Sequence, residues 1–291
     1  MIGANFPDID IVAVPLGMSF EWRRGVTHGL LALIVLPFVL TSVMLAWDHF
    51  VRRRTAGTTY QPANLRGLLL LSTLSMLTHP VLDWMNVYGV RWLMPFDGKW
   101  FYGDALFIVD PWIWGALAVG VVASRRRLRA GDPAPGAGRP AVIAMALVST
   151  YMVGMLVLGE VGERIARRGL AAEGVRNVDR IMVGPVPVNP LRRQVVASVD
   201  SGGHYRFGEV RWSPGASFAL EEFAVQSNRA QPAAGLAQST PRGSGFVQWA
   251  RFPFFVIDRR ENQAATWIGD ARYTVDPEVS WAAVRLDMAL E

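Results

Sequence analysis

Three short runs carry the residues that could do chemistry. Asn5-Phe6-Pro7-Asp8-Ile9-Asp10 sets two carboxylates at i and i+2 directly after a proline, as in the short ligand runs that chelate hard or borderline cations. An aspartate pair in a turn reads the same way. Arg23-Arg24-Gly25-Val26-Thr27-His28 leads into a long apolar run, which predicts Thr27 as a helix cap and His28 in the first helical turn. Arg23 and Arg24 suit an anionic substrate or a lipid phosphate, and suit equally a pair of snorkelling anchors. Thr78-His79-Pro80-Val81-Leu82-Asp83 is the most specific run. Residues four apart share one helix face, so His79 and Asp83 can ligate one metal, or the aspartate can orient the imidazole. A polar pair that satisfies itself is the competing reading. An ionisable group inside a membrane span costs about 2.5–3.5 kcal/mol at mid-bilayer on insertion scales, which favours a functional reason for it.

A fourth set is richer in aromatics: Pro95-Phe96-Asp97, Trp100-Phe101-Tyr102-Gly103-Asp104 and Asp110-Pro111-Trp112-Ile113-Trp114. The aromatics form an interfacial belt. Asp104 and Asp110 remain as candidate catalytic groups, either as general base or to orient a ligand histidine.

The elements that position these residues follow from hydropathy. Gly29–Trp47 and Ala141–Gly159 are each 19 residues without a charge, long enough to cross a bilayer. Gly67–Leu82 is 16 residues free of Asp, Glu, Lys and Arg, and Pro111–Ser124 is 14, extended upstream by Ala105–Val109. Four transmembrane helices are predicted, at 27–47, 65–83, 105–124 and 141–159, with Pro37 kinking the first. Ile11–Phe20 is apolar but too short to span, and reads as a re-entrant or interfacial segment. The first 20 residues have no basic n-region, which excludes a signal peptide.

Of the 29 basic residues only Lys99 is a lysine, and the net charge is +5. The arginines cluster beside apolar runs, where a membrane explains them better than nucleic acid does. Arg52, Arg53, Arg54 and Arg66 flank the first loop; Arg125, Arg126, Arg127, Arg129 and Arg139 flank the third. With four helices both loops are cytoplasmic by the positive-inside rule. Asp8, Asp10, His28, His79, Asp83 and Asp104 then gather at the opposite face, with Asp110 just below it. His49 falls at the arginine-rich end and His204 in the C-terminal part.

Residues 1–165 are expected to form the transmembrane domain and 170–291 a soluble, β-rich domain on the extracytoplasmic side. The strand-like runs are Gln194–Val199, Tyr205–Trp212, Phe246–Ile257 and Ala265–Val275. Gly131–Pro140 reads as a flexible connector and Asn228–Gly245 as a long loop. The absence of cysteine excludes disulfides, thiolate zinc sites, iron–sulfur clusters and Cys nucleophiles. A metal site is therefore restricted to nitrogen and oxygen ligands, suiting Zn, Mn or Fe.

At Pro7-Asp8-Ile9-Asp10, Arg24-Gly25-Val26-Thr27-His28, His79-Pro80-Val81-Leu82-Asp83 through Gly89, and Pro95-Phe96, the chain resembles the bacterial family of membrane-bound predicted metal-dependent hydrolases. Its founding members are inner-membrane proteins under SOS (LexA) control. The resemblance covers about residues 1–125, with the fourth span and the C-terminal part as an extension. It implies a multi-helix inner-membrane protein with a His/Asp metal site facing water, and no particular substrate. Members of that family begin with a further helix carrying a Thr-His pair ahead of the Pro-Asp-x-Asp element. Here Met1 precedes Pro7 by six residues, so the expectation is a start assigned too far downstream.

The leading expectation is a membrane-embedded hydrolase in which Asp8, Asp10, His28, His79 and Asp83 hold a divalent metal. Metal-activated water would attack an ester or phosphoester of a lipid or other anionic substrate bound by Arg23 and Arg24. One alternative is a transporter or proton-relay protein; it requires ionisable groups continuing through the spans, and helices two to four show none. The other is a non-catalytic membrane protein with a structural His/Asp cluster.

Overall fold

The computed structural model describes residues 2–13, 22–57, 60–260 and 263–289. They form two compact units, Met1–Tyr102 and Gly103–Glu291.

The first unit opens with a single helical turn, Ile2–Asn5, packed against the second long helix, and a 3-10 turn, Pro7–Ala13. Helix α1 is Leu30–Trp47, with Pro37 accommodated inside it, and it continues through a π turn, Asp48–Arg52, to Ala56. It is apolar all round: Leu30, Ile34, Phe38, Val43 and Trp47 are exposed, while Leu40 and Thr41 pack inward. Such a helix needs hydrocarbon around it. Asp48 holds the turn after the apolar run, accepting from Tyr60 Oη at 2.7 Å and Ala63 N at 3.0 Å and pairing with Arg52. Helix α2, Leu65–Met85, starts where Asn64 caps the amides of Arg66 and Gly67 and ends at Asn86.

In the second unit α3, Pro111–Arg129, and α4, Ala134–Ala172, pack on each other. A Cβ on Gly120 would stand 2.5 Å from the Ala144 Cβ, so glycine is what permits this approach. Strands β1 (Val178–Pro185), β2 (Arg192–Val199), β3 (His204–Arg211) and β4 (Ser217–Gln226) make an antiparallel meander. The C-terminal end of α4 covers it: Ala166 and Leu170 pack on Ile181, Val183, Val195, Ala197 and Val210. Two short helices follow, α5 (Pro232–Ser239) and α6 (Pro241–Trp249), then a second meander of β5 (Pro253–Arg260), β6 (Gln263–Asp270) and β7 (Ala283–Ala289).

Among the described residues three helices are long and apolar enough to cross a membrane: Leu30–Thr55, Leu65–Met85 and Gly136–Ala172. The chain is thus a helical, apolar N-terminal region followed by two antiparallel sheets. Several expected boundaries shift. The first span starts at Leu30 behind Gly29, and Thr27 and His28 lie in the turn before it rather than capping it. The helix expected from residue 105 starts at Pro111, because Asp110 caps the amides of Trp112 and Ile113 and Pro111 takes the first helical position. The connector expected over 131–140 is already helical from Ala134. The loop expected over 228–245 holds α5 and α6, started at Pro232 and Pro241, and the run Phe246–Ile257 begins as α6 and becomes strand only at Pro253. The expected re-entrant segment 11–20 is helical to Ala13; its remainder lies outside the described residues.

Two buried arginines organise the second unit. Arg193 is wholly buried without a carboxylate partner, donating to the carbonyls of Asp104 (2.7 Å), Ala105 (3.4 Å) and Met155 (2.5 Å). Burial pushes its guanidinium down to about 10, still charged at neutral pH. Arg272 and Asp270 form an ion pair at 2.6 Å with both side chains inaccessible, and the guanidinium lies over the Trp249 ring. Removing one partner of a buried pair strands the other charge. Asp270→Ala should therefore destabilise the second sheet by about 3–5 kcal/mol, read by urea unfolding followed through tryptophan fluorescence. Adding Arg272→Leu should recover much of that loss.

Candidate metal centre

Three separate segments bring four ligand atoms together. Asp8 comes from the 3-10 turn, His28 from the turn before α1, and His79 and Asp83 from successive turns of α2. One ligand atom from each lies within 4.8 Å of all the others. His28 Nε2 is 3.3 Å from Asp83 Oδ2 and 3.7 Å from Asp8 Oδ1; His79 Nε2 is 3.4 Å from Asp83 Oδ2 and 3.5 Å from Asp8 Oδ2. Ligands at about 2.0–2.2 Å from a tetrahedral ion stand about 3–4 Å apart, so the spacing fits a single cation. His28 Nε2, His79 Nε2 and Asp83 Oδ2 are buried and make no hydrogen bond. Buried polar atoms are normally satisfied, and three that converge on one point without hydrogen bonds fit a shared cation.

The remaining atoms of these ligands are anchored. His28 Nδ1 lies 3.0 Å from Thr27 Oγ1 and 3.5 Å from Asp10 Oδ2. Asp83 Oδ1 accepts from Arg24 Nη2 at 2.8 Å, leaving only Oδ2 for the centre. Arg24 Nη1 donates to Asn86 Oδ1 (3.1 Å) and Gly89 O (3.3 Å), the Arg24 amide donates to Asp10 Oδ2 at 2.7 Å, and the guanidinium stacks on Tyr88. A side chain at Gly89 would run into the Tyr102 ring, and its φ of +84° suits glycine.

The expected residues therefore divide. Asp8, His28, His79 and Asp83 converge, and Asp10 stands one layer behind His28 instead of joining them. Arg23 lies at the rim, 3.4 Å from Asp8 and about a quarter exposed, whereas Arg24 is buried and fully engaged by protein groups. Asp104 and Asp110 belong to the second unit, where Asp104 pairs with Arg251 at 2.5 Å and Asp110 caps α3 while accepting from Tyr151 Oη at 2.9 Å. The stretch through Gly89 was part of the family resemblance, but no role for Asn86, Tyr88 or Gly89 was read from it, although a turn-forming Asn-x-x-Gly shortly after Asp83 was the available signal.

Apolar helices of spanning length carrying a buried His/Asp cluster define a membrane protein with a candidate metal centre. Residues 1–161, more than half of the chain, match the model of the YdjM inner membrane protein family, and the chain belongs to that family. No curated protein and no solved structure matches it.

Residues that orient a metal ligand typically contribute 10–100-fold in metal affinity. Arg24→Gln should weaken Zn or Mn binding by about that factor, measured by isothermal titration calorimetry. Arg24→Lys should not restore it, because a single ammonium cannot hold Asp83, Asn86 and the Gly89 carbonyl at once.

Proposed function

We propose that this protein is a membrane-embedded, metal-dependent hydrolase acting on an ester or phosphoester. Asp8, His28, His79 and Asp83 hold one divalent cation, with Zn, Mn and Fe all compatible with two imidazoles and two carboxylates. When bound, the ion supplies Lewis acidity and an activated water. Asp10 and Thr27 fix the His28 ring, Arg24 fixes Asp83, and Arg23 at the rim faces the anionic part of the substrate. Asp104 and Asp110 we assign to holding the second unit together. The reading rests on the three converging, buried ligand atoms that lack hydrogen bonds. A proton relay would need further ionisable groups along α2, and between Arg66 and His79 that helix offers only hydroxyls.

We further infer that α3 is a fourth crossing. It packs along α4 through Gly120, its 14 residues from Pro111 to Ser124 are uncharged, and Trp114, Val119 and Val122 on it are exposed. Its four arginines, at 125–127 and 129, then mark the cytoplasmic end, and the C-terminal sheets are extracytoplasmic. The chain has no cysteine, so single cysteines report topology cleanly. Cysteines replacing Arg54 and Asp132 should react with impermeant maleimide only in inverted vesicles, and one replacing Glu222 only in right-side-out cells. Labelling of the Asp132 position from outside would remove α3 as a span.

Protein purified without chelator should carry about one transition metal per chain by mass spectrometry, since the four ligand atoms would share one ion. His79→Ala and Asp83→Ala should each abolish it. Occupancy should fall on acidification, because protons compete with the metal for the imidazole and carboxylate ligands. Metal-free protein at neutral pH, after growth with ample Zn and Mn, would refute the hydrolase reading.

A further inference from the structure

The turn that joins β1 to β2 is built unlike a solvated loop. It reads Val186-Pro187-Val188-Asn189-Pro190-Leu191, within a run from Ile181 to Leu191 that carries no charge. Turns that face water are ordinarily polar. Here Val188 is 63% exposed and Leu191 48%.

The backbone at the tip is strained to present those side chains. Asn189 N donates to Pro187 O at 2.8 Å, closing a three-residue turn around Val188, whose φ is +66°. That is the rare, strained form of the three-residue turn, and a β-branched residue is poorly suited to it. No core packing holds the valine there, so strain kept at an exposed tip points to a use for its side chain. The polar groups, by contrast, are satisfied within the protein. Asn189 Oδ1 accepts from Leu191 N at 3.0 Å, and Arg192 N donates to Asn189 O at 3.3 Å. Pro187 and Pro190 have no amide hydrogen to satisfy. Val188 O accepts from Trp112 Nε1 at 2.8 Å. Apolar side chains outside and satisfied backbone within suit a medium poor in water.

Trp112 also locates that medium. It stands with Trp114 in the first turn of α3, and both are more than half exposed. Tryptophans at the start of a span lie at the membrane–water boundary. The hydrogen bond from Trp112 holds the tip of the turn at that level, and Ile108 and Val109, exposed just ahead of the α3 cap, extend the apolar rim. We infer that the β1–β2 turn inserts Val188 and Leu191 into the lipid surface beside the start of α3, tying the first sheet to the bilayer. This rests on the reading of α3 as a crossing and adds a lipid contact made by the C-terminal strands.

The test uses the full chain in lipid nanodiscs, with the fluorophore NBD on single cysteines, for which the cysteine-free sequence needs no prior change. Lipids carrying doxyl near the headgroup should quench NBD on Val188→Cys, whose emission should be shifted to the blue. Lipids carrying doxyl near the chain end should quench it on Val119→Cys, in the middle of α3, and neither should affect Glu222→Cys on β4. Val188→Asn relaxes the backbone, since asparagine tolerates positive φ, and removes the apolar side chain. It should raise the thermal midpoint in detergent while NBD on Leu191→Cys loses its quenching in nanodiscs. A water-exposed label at Val188→Cys beside a quenched one at Val119→Cys overturns the insertion and leaves α3 as a crossing. Quenching at Leu191→Cys that survives Val188→Asn overturns the role given to the valine. Unquenched labels at both Val188→Cys and Val119→Cys overturn the crossing, and the inference with it.

Discussion

The site depends on how one carboxylate is held. Asp83 is 8% exposed near the end of an apolar helix, where an uncompensated charge would be expelled or neutralised. Arg24 compensates one oxygen at 2.8 Å, and that choice constrains much else. For the guanidinium to point at α2, the backbone at Arg24 adopts a φ of +50°, a conformation that costs a non-glycine residue about 1–3 kcal/mol. The same conformation aims the Arg24 amide at Asp10, and Asn86, Gly89 and Tyr88 complete the cage around the guanidinium. Segments around residues 10, 24, 83 and 89 are thereby tied to one another. The strain at Arg24 is offset by charge-assisted hydrogen bonds that exist only when all four segments are in place.

Elsewhere the packing is dictated by what surrounds the helices. Only 17% of each apolar window is buried within the chain, so their leucines, valines and phenylalanines are matched to hydrocarbon rather than to one another. Where helices do touch, small residues make the contact, as at Gly120 and Ala144. Past Leu170 the packing changes, with antiparallel strands over a dry core and the Asp270–Arg272 charges paired where they are buried. Arg193 is the exception. It spends its donors on backbone carbonyls of three segments that carry no regular hydrogen-bond partner for it in sequence, and so acts as a cross-link between β2, α4 and the chain at 104–105.

What could be read from the sequence was local. The i, i+4 spacing of His79 and Asp83 and the apolar runs of α1, α2 and α4 depend only on helix period and hydropathy, and they hold. The carboxylate pair at Asp8 and Asp10 was visible as a pair, but which one reaches the centre was not, because that is decided by the distant turn at Arg24 and Thr27. Arg24 itself read as a substrate-binding group; its partners lie 62 and 65 residues away, and no local pattern encodes such a pairing. At α3 the signal was present and outweighed. Asp110-Pro111 is a helix start by capping and proline placement, yet counting apolar residues drew the span through it. Over 228–245 the small, turn-forming composition concealed two proline-initiated helices that become stable only by burying Ala234, Ala237, Phe246 and Trp249.

The orientation of the His28 ring follows from the network around it. Thr27 Oγ1 has one proton and gives it to Asp10 Oδ2 at 3.2 Å. Its 3.0 Å contact with His28 Nδ1 is then one in which the ring nitrogen donates, which leaves Nε2 turned toward the cluster. That nitrogen faces Asp83 Oδ2 at 3.3 Å and Asp8 Oδ1 at 3.7 Å, and Arg23 Nη2 approaches Asp8 Oδ1 from the rim at 3.4 Å. A cation shared at the common centre would satisfy Asp8, His28, His79 and Asp83 together, and Asp10 and Thr27, by engaging Nδ1, keep the Nε2 of His28 turned toward that point.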